Sequence, residues 1–127
     1  MIVTYAQKER INLLTSKETV KLIIDALEDK KAENIQIIDI SEVSSVADYF
    51  IITNGTNKSQ VQALADNVEE ELLKIGVHCR QVEGYPSGNW ILMDYDDFIV
   101  HIFNQEDRLF YDLERIWKDA DLIEIAE

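Results

Sequence analysis

Short runs of β-branched and aromatic residues alternate along this chain with segments whose apolar residues recur at helical spacing. This alternation restricts the fold more than any other feature, because helical spacing builds one apolar helix face, whereas a short apolar run is typical of a buried strand. The order is helix, strand, strand, helix, strand, strand, strand, helix. It predicts a layered α/β domain with a mixed five-stranded sheet and flanking helices.

Three helices are predicted. Thr15 and Glu18 have the spacing of a capping box, which favours a helix start at this point. A second helix is predicted over residues 58–75, where Gly76 is a suitable terminating residue. The third begins near Gln105. The inner faces of the first two consist of Val20, Ile23, Ile24 and Leu27, and of Val61, Leu64, Ala65, Val68 and Leu72.

Five strands are predicted, over residues 35–40, 48–54, 77–82, 90–93 and 98–103. Residues 94–97 (DYDD) are short and turn-like, so the last two strands are expected to form an antiparallel hairpin. Residues 83–89 (EGYPSGN) are predicted to form a loop because of their glycine and proline content.

The composition limits the classes of protein and of partner. With 127 residues, the chain is long enough for one core, and we expect an N-terminal arm at 1–14 and a single domain at 15–127. A net charge of −13 disfavours direct nucleic-acid binding through a basic face and fits a basic protein partner, although it also serves solubility alone. The single cysteine and the lack of a long apolar stretch favour a cytoplasmic protein without a membrane segment.

Two turns carry residues that could form a catalytic or ligand site. Gly55 lies between a strand and a helix, where a phosphate can approach backbone amides, but P-loop and dinucleotide-binding spacings are absent, so a capped turn is favoured. Asp94, Asp96 and Asp97 form a carboxylate cluster that could hold Mg²⁺, as in nucleotidyltransferases. However, the acidic pair is not at the short spacing after the glycine turn that those enzymes use, so turn formation is favoured.

Histidine and cysteine residues give no better metal site. His78 and Cys79 are neighbours on a predicted strand and point to opposite faces, with no further cysteine to complete a site. Cys79 is expected to be a buried small apolar residue, and His101 a hydrogen-bonded strand histidine. No nucleophile constellation is present, so we predict no enzyme activity, no metal and no cofactor.

Trp90 follows a glycine-containing loop and opens a strand that ends in acidic residues. Aromatic residues next to carboxylates are typical of protein-binding surfaces. A core position for Trp90 is an equally good interpretation of the sequence alone.

An ordered set of residues between about 16 and 119 resembles the ribosomal silencing factor (Iojap-like) family. Its most diagnostic part runs Glu-Gly, Trp, Asp-Tyr, Val-His-Ile-Phe, Arg, Tyr-x-Leu-Glu and Trp, in that order. Residues 1–14 lie outside the usual family start, and Thr56-Asn57 stands where serine is common. The matching residues are 48–52, Gly55, Val61, Ala65, Asp66, Glu83, Gly84, 90–95, 100–103, Arg108, Tyr111, Leu113, Glu114 and Trp117.

The resemblance implies a mixed five-stranded sheet that is distantly like nucleotidyltransferases but lacks their active site. It implies binding to a basic large-subunit ribosomal protein at an intersubunit bridge, which blocks joining of the ribosomal subunits and represses translation. It also implies a homodimer, for which the apolar tail at Leu122, Ile123 and Ile125 offers weak support from the sequence.

The predicted ribosomal-protein-binding residues are Trp90 and Tyr95 as anchors, with Asp94, Asp96 and Asp97 supplying charge. Two alternatives remain at this point. One is a metal-dependent enzyme like the nucleotidyltransferases, and the other is an acidic adaptor domain with some other basic partner.

Overall fold

The computed structural model describes residues 16–42, 47–105 and 121–123. These ranges contain two helices and six strands. In chain order they are α1 (Ser16–Asp29), β1 (Glu33–Asp39), β2 (Tyr49–Gly55), α2 (Lys58–Leu73), β3 (Gln81–Glu83), β4 (Trp90–Asp94), β5 (Phe98–Asn104) and β6 (Asp121–Ile123).

The strands form one mixed sheet in the order β3-β4-β5-β2-β1-β6. The central pair, β5 and β2, is parallel, and the other four pairings are antiparallel. In β5 every residue from Phe98 to Phe103 is buried, which explains why this strand has a nearly continuous apolar sequence rather than an alternating one. The sheet therefore has a core on each face.

Helices α1 and α2 cover one face of the sheet. Their predicted inner stripes are confirmed, since all nine residues are at most 4% exposed. These side chains pack against the sheet residues that point the same way, among them Ile51, Met93 and Ile102. We call this larger cluster the helix-side core.

The opposite face carries a smaller apolar cluster, which we call the far-side core. Trp90 and Leu92 are partly buried and pack against it from β4. Its buried members are Ile38, Ile40, Ala47, Phe50, Ile52, Ile99 and Phe103. Side chains alternate along a strand, so β4 directs Ile91 and Met93 to the helix side and Trp90, Leu92 and Asp94 to the far side.

Both ends of α2 follow the predicted chemistry. The Asn57 side chain accepts a hydrogen bond from the Gln60 amide at 2.9 Å and so caps the helix N-terminus. At the other end Gly76 has a φ of 78°, its amide donates to Leu73 O, and the next amide, of Val77, donates to Leu72 O. This pair of bonds ends the helix as Gly76 was predicted to do.

The predicted mixed α/β sheet and the β4–β5 hairpin are confirmed. The strand predicted at 77–82 is observed as β3, which is shorter and begins later, at Gln81. Val77 still belongs to the end of α2, and pairing with β4 begins only where the Arg80 amide donates to Asp94 O. β6 is an additional strand, and its Leu122 and Ile123 pair with Ile38 and Ile37 of β1. These two residues are thus part of the sheet rather than a loose tail.

Three predictions fall outside the described residues: the arm at 1–14, the Thr15 cap and the third helix beyond Gln105. Among the described helices, none is long and apolar enough to cross a membrane.

Candidate protein-binding site

The β4–β5 hairpin carries all five residues predicted to bind a partner. Trp90 and Asp94 are half-buried at the two ends of β4 and point to the same face of the sheet. Three residues of extended chain lie between them, which places their backbones roughly 13 Å apart. Asp96 and Asp97 follow in the turn, and both are exposed.

The acidic turn is held by its own hydrogen bonds. Asp94 Oδ1 accepts from the Asp96 amide at 2.8 Å, and the Tyr95 amide donates to Phe98 O at 2.9 Å. Asp96 has a φ of 69°, in the left-handed region that aspartate tolerates better than most residues. The interpretation of these aspartates as turn formers is therefore confirmed.

The same turn is attached to the neighbouring strand and to an arginine. The carbonyl oxygen of Asp97 accepts from the amides of Asp48 (2.9 Å) and Tyr49 (3.1 Å), which fixes the turn beside the start of β2. Arg80 Nη1 donates to Asp96 Oδ1 at 2.8 Å. The Asp97 carboxylate is thus directed to solvent from a backbone that is held on both sides.

Tyr95 is placed differently from its predicted role as an exposed anchor. It is 6% exposed and belongs to the helix-side core, because it follows Met93 on the inward side of the hairpin. Burial raises the pKa of its phenol well above the usual range. Its ring is not available on the surface, so this part of the prediction is corrected.

Trp90 lies between the core and the surface interpretations. Its indole stacks on Phe103 with ring centroids 5.1 Å apart, and Phe103 is its direct partner across the β4–β5 pairing. Its Nε1–H donates to Nδ1 of His101 at 3.0 Å. One side of the indole therefore rests on the far-side core, and the ring is not fully buried.

His101 is confirmed as a hydrogen-bonded strand histidine. The indole nitrogen can only donate, so Nδ1 is the unprotonated nitrogen and Nε2 carries the proton of the neutral ring. Burial lowers the pKa of His101 to about 4, so the ring is neutral at ordinary pH. Nε2 is buried and has no hydrogen-bond partner among the residues that the structure describes. Leaving a buried donor unpaired costs about 1–3 kcal/mol. The hydrogen bond from Trp90 to Nδ1 contributes a net gain of only about 1 kcal/mol, so it does not outweigh this cost.

The loop before Trp90 lies along a stripe of α2. Gln62 Nε2 donates to Tyr85 O at 2.8 Å, and the Tyr85 hydroxyl donates to Asp66 Oδ2 at 3.1 Å. Gly84 and Gly88 both have positive φ, of 80° and 67°, so the loop uses conformations that favour glycine. The helix thereby fixes the segment that leads into β4.

The Gly55 turn has no room for a phosphate at its amides. Gln60 Oε1 accepts from the Thr56 amide (2.7 Å) and from its hydroxyl (2.9 Å), so a side chain of the protein occupies the acceptor position. Gln60 Nε2 donates to the carbonyl oxygens of Lys30 and Lys31 beyond the end of α1. The capped-turn interpretation is confirmed, and it ties the two helices together.

No group of three metal-ligating side chains occurs in the part of the chain that the structure describes. His78 is exposed, whereas Cys79 is half-buried and its Sγ donates to Gln81 O at 3.2 Å. Cys79 is therefore less buried than expected, and burial still raises the pKa of its thiol.

The sequence did not reveal three contacts that shape this site: the Trp90–His101 bond, the Arg80–Asp96 pair and the attachment of Tyr85 to α2. Each joins residues from different parts of the fold, so local sequence patterns do not reveal it.

The family described as "Ribosomal silencing factor during starvation" matches residues 14–127 of the chain. Ribosomal silencing factor RsfS of Bacillus subtilis is 36% identical over 112 residues, which are 88% of this chain and 95% of that protein. A protein from Mus musculus named "Mitochondrial assembly of ribosomal large subunit protein 1" is 26% identical over 122 residues, covering 87% of this chain and 52% of that protein.

A crystal structure of a protein from Chromobacterium violaceum has the same fold, with a TM-score of 0.81 and 35% sequence identity. The match covers 90% of this chain and 94% of that one. The fold and the site together define a small mixed α/β domain that presents an aromatic residue and carboxylates on one hairpin. The chain belongs to the ribosomal silencing factor family, whose name describes a regulatory factor rather than an enzyme.

Proposed function

We propose that this protein binds a basic ribosomal protein on the intersubunit face of the large ribosomal subunit, blocks joining of the two subunits and so represses translation in the cytoplasm. The name of the mouse relative refers to the large subunit, which supports that subunit as the partner. The proposal requires neither a metal nor a cofactor.

The observation that carries the proposal is the arrangement of the hairpin. Trp90 offers a partly exposed indole, and Asp94, on the same face, leads into a turn with two exposed carboxylates. Interface energy is concentrated in a few aromatic or arginine residues, with charged groups around them that guide association. A Lys- and Arg-rich surface therefore fits this hairpin in both respects.

Charge supports a protein partner rather than ribosomal RNA. The chain carries 25 acidic and 12 basic residues, and a net charge of −13 repels phosphate. Basic ribosomal proteins are the surfaces of a ribosome that an acidic protein can approach. The alternative of an acidic adaptor with another basic partner shares this argument, whereas the enzyme alternative has no supporting geometry in the described residues.

The test is co-sedimentation of the protein with isolated large subunits, isolated small subunits and intact ribosomes. We expect binding to the large subunit alone, and a lower yield of joined ribosomes when the protein is added before the small subunit. Binding to none of the three would favour the adaptor alternative. Binding to large subunits without any effect on joining would refute the blocking step and leave the partner correct.

Trp90→Ala is the decisive variant, with Leu73→Ala as its matched control. Leu73 is 44% exposed on α2 and is also apolar, but it lies on the helix side of the sheet. Truncation of an interface anchor costs about 2 kcal/mol or more, which is a loss of affinity of roughly thirty-fold. We expect that loss for Trp90→Ala and none for Leu73→Ala, with binding measured well below each melting temperature. Equal binding by both folded variants would remove Trp90 from the site.

A homodimer remains a prediction from the family resemblance. The apolar tail supports it less than the sequence indicated, because Leu122 and Ile123 pair with β1.

A further inference from the structure

Among the contacts that Trp90 makes on the far side of the sheet, the stacking on Phe103 and the hydrogen bond to His101 differ in what they fix. Stacking on Phe103, at 5.1 Å between centroids and 24° between planes, holds the plane of the indole. A stacked ring can still turn over about its χ2 bond, because that torsion has broad and roughly two-fold preferences. The hydrogen bond from Nε1 to His101 Nδ1 is satisfied in only one of those two orientations.

His101 is an unusual residue for this position if packing alone is considered. It is 3% exposed, and its ring meets Phe50 edge-on at 4.6 Å and Phe103 nearly parallel at 6.3 Å. Leucine or phenylalanine would fill such a place without a buried Nε2 donor, which has no partner in the described part of the chain. The imidazole does provide an acceptor directed at the indole, which neither apolar residue supplies.

We propose that His101 is a positioning residue, which holds the indole of Trp90 in the single orientation that it presents to the partner protein. This inference rests on the proposed function, since it assigns His101 to the same binding surface. A side chain that is already held in its bound orientation loses less freedom on binding, and so binds more tightly. His101 acts without touching the partner, because its ring is only 3% exposed.

Three variants test this role separately from the packing of the core. His101→Leu removes the acceptor and keeps an apolar side chain of similar size. His101→Asn retains an acceptor, because its Oδ1 is the same number of bonds from the backbone as the imidazole Nδ1. Trp90→Phe retains an aromatic ring but removes the donor, so it breaks the same bond from the other side. The Leu73→Ala variant again serves as the control.

The first readout is the ¹⁵N–¹H signal of the Trp90 side chain, assigned by its disappearance in Trp90→Phe. We expect slow solvent exchange of this proton in the unmodified protein and in His101→Asn, and fast exchange in His101→Leu. The second readout is affinity for isolated large subunits. A single neutral hydrogen bond corresponds to a loss of about five- to tenfold, expected for His101→Leu and Trp90→Phe, with recovery in His101→Asn.

The double variant Trp90→Phe/His101→Leu should bind no more weakly than either single variant, because the bond is already absent in each. Additive losses would overturn the positioning role, as would a protected indole proton in His101→Leu. Normal binding by His101→Leu with weakened binding by Trp90→Ala would also overturn it, while the proposed function would stand. Normal binding by Trp90→Ala would instead refute the proposed site and this inference with it. If His101→Leu does not fold, Trp90→Phe and His101→Asn still decide the outcome.

Discussion

Arg80 Nη1 and Asp96 Oδ1 are 2.8 Å apart, so one of the three carboxylates predicted to meet a basic partner already has a cation beside it. Both side chains are largely exposed, at 69% and 66%, and Asp96 raises the pKa of Arg80 through its hydrogen bond and charge. An exposed pair of this kind contributes little to folding stability. Its effect is to reduce the negative potential at the tip of the hairpin.

Removal of this arginine is therefore expected to speed association with the large subunit. Arg80→Ala leaves the Asp96 carboxylate unneutralised, and exposed charges act over about 8–10 Å at ordinary ionic strength. We predict a faster association rate at low salt, by about two-fold, with the gain disappearing as salt rises. Stopped-flow measurements over a range of salt concentrations check this.

Lys21→Ala is the matched control for that experiment. It removes the same charge from an exposed position on α1, far along the chain from the hairpin. An equal gain in both variants would mean that only the net charge matters. Rates that do not depend on salt in any variant would refute electrostatic steering altogether.

Gln60 is expected to matter for stability more than its partly exposed position indicates. Its side chain makes four hydrogen bonds, two accepted from Thr56 and two donated to the carbonyls of Lys30 and Lys31. We predict that Gln60→Ala lowers the free energy of unfolding by about 2 kcal/mol, at roughly 0.5–1.5 kcal/mol for each fully lost interaction. Gln60→Glu keeps the acceptor for Thr56 but turns a carboxylate oxygen towards the carbonyl oxygens of Lys30 and Lys31, so it should recover little of this loss. Urea unfolding of the two variants measures the difference, and a cost below that of Gln62→Ala would contradict the cross-linking role.

Gly84 and Gly88 are expected to respond differently to alanine, although both have positive φ. A Cβ on Gly84 would lie 2.0 Å from the carbonyl oxygen of Trp90, which is backbone, whereas one on Gly88 would meet the movable Lys58 side chain at 2.5 Å. We predict a loss of about 1–2 kcal/mol for Gly88→Ala from conformational strain, and about 3 kcal/mol or more for Gly84→Ala. Thermal unfolding decides this, and equal losses would show that the loop yields as easily at both positions.

Local sequence patterns predicted the elements that depend on periodicity. The inner stripes of α1 and α2, such as Val20 and Val61, were identified because helical spacing alone defines a face. The β4–β5 hairpin followed from two apolar runs around an acidic turn. By contrast, β3 begins at Gln81 rather than at Val77. Val77 is β-branched like a strand residue, but its amide bonds Leu72 O and so ends α2.

Contacts between distant residues were not predictable in this way. A hairpin symmetric about residues 94–97 would pair Met93 with Phe98, yet Met93 pairs with Val100 because the Tyr95 amide bonds Phe98 O and the turn closes at residues 96 and 97. This shift of two residues determines that Trp90 lies opposite Phe103 and diagonal to His101. Tyr95 was misplaced because it was assigned to the exposed turn, whereas it continues the inward alternation of Ile91 and Met93 and is buried on the helix side.

His101 should give the protein a measurable loss of stability in mildly acidic solution. Burial lowers its pKa from 6.5 to about 4, so the unfolded chain takes up this proton at a higher pH than the folded protein does. The stability that depends on the neutral ring is therefore present above pH 6.5 and is lost as the pH falls towards 4. The slope reaches at most about 1.4 kcal/mol per pH unit, which amounts to about 2 kcal/mol between pH 7 and pH 5.

The comparison that isolates this effect is urea unfolding of the unmodified protein and of His101→Asn at pH 7 and at pH 5. Carboxylates contribute equally to both proteins, so the difference between the two pH-dependent losses belongs to His101. His78→Asn is the control, because that histidine is exposed and should leave the loss unchanged. If His101→Asn loses as much stability as the unmodified protein, the imidazole is already protonated or solvated in the folded state, and the neutral acceptor assigned to Trp90 does not exist.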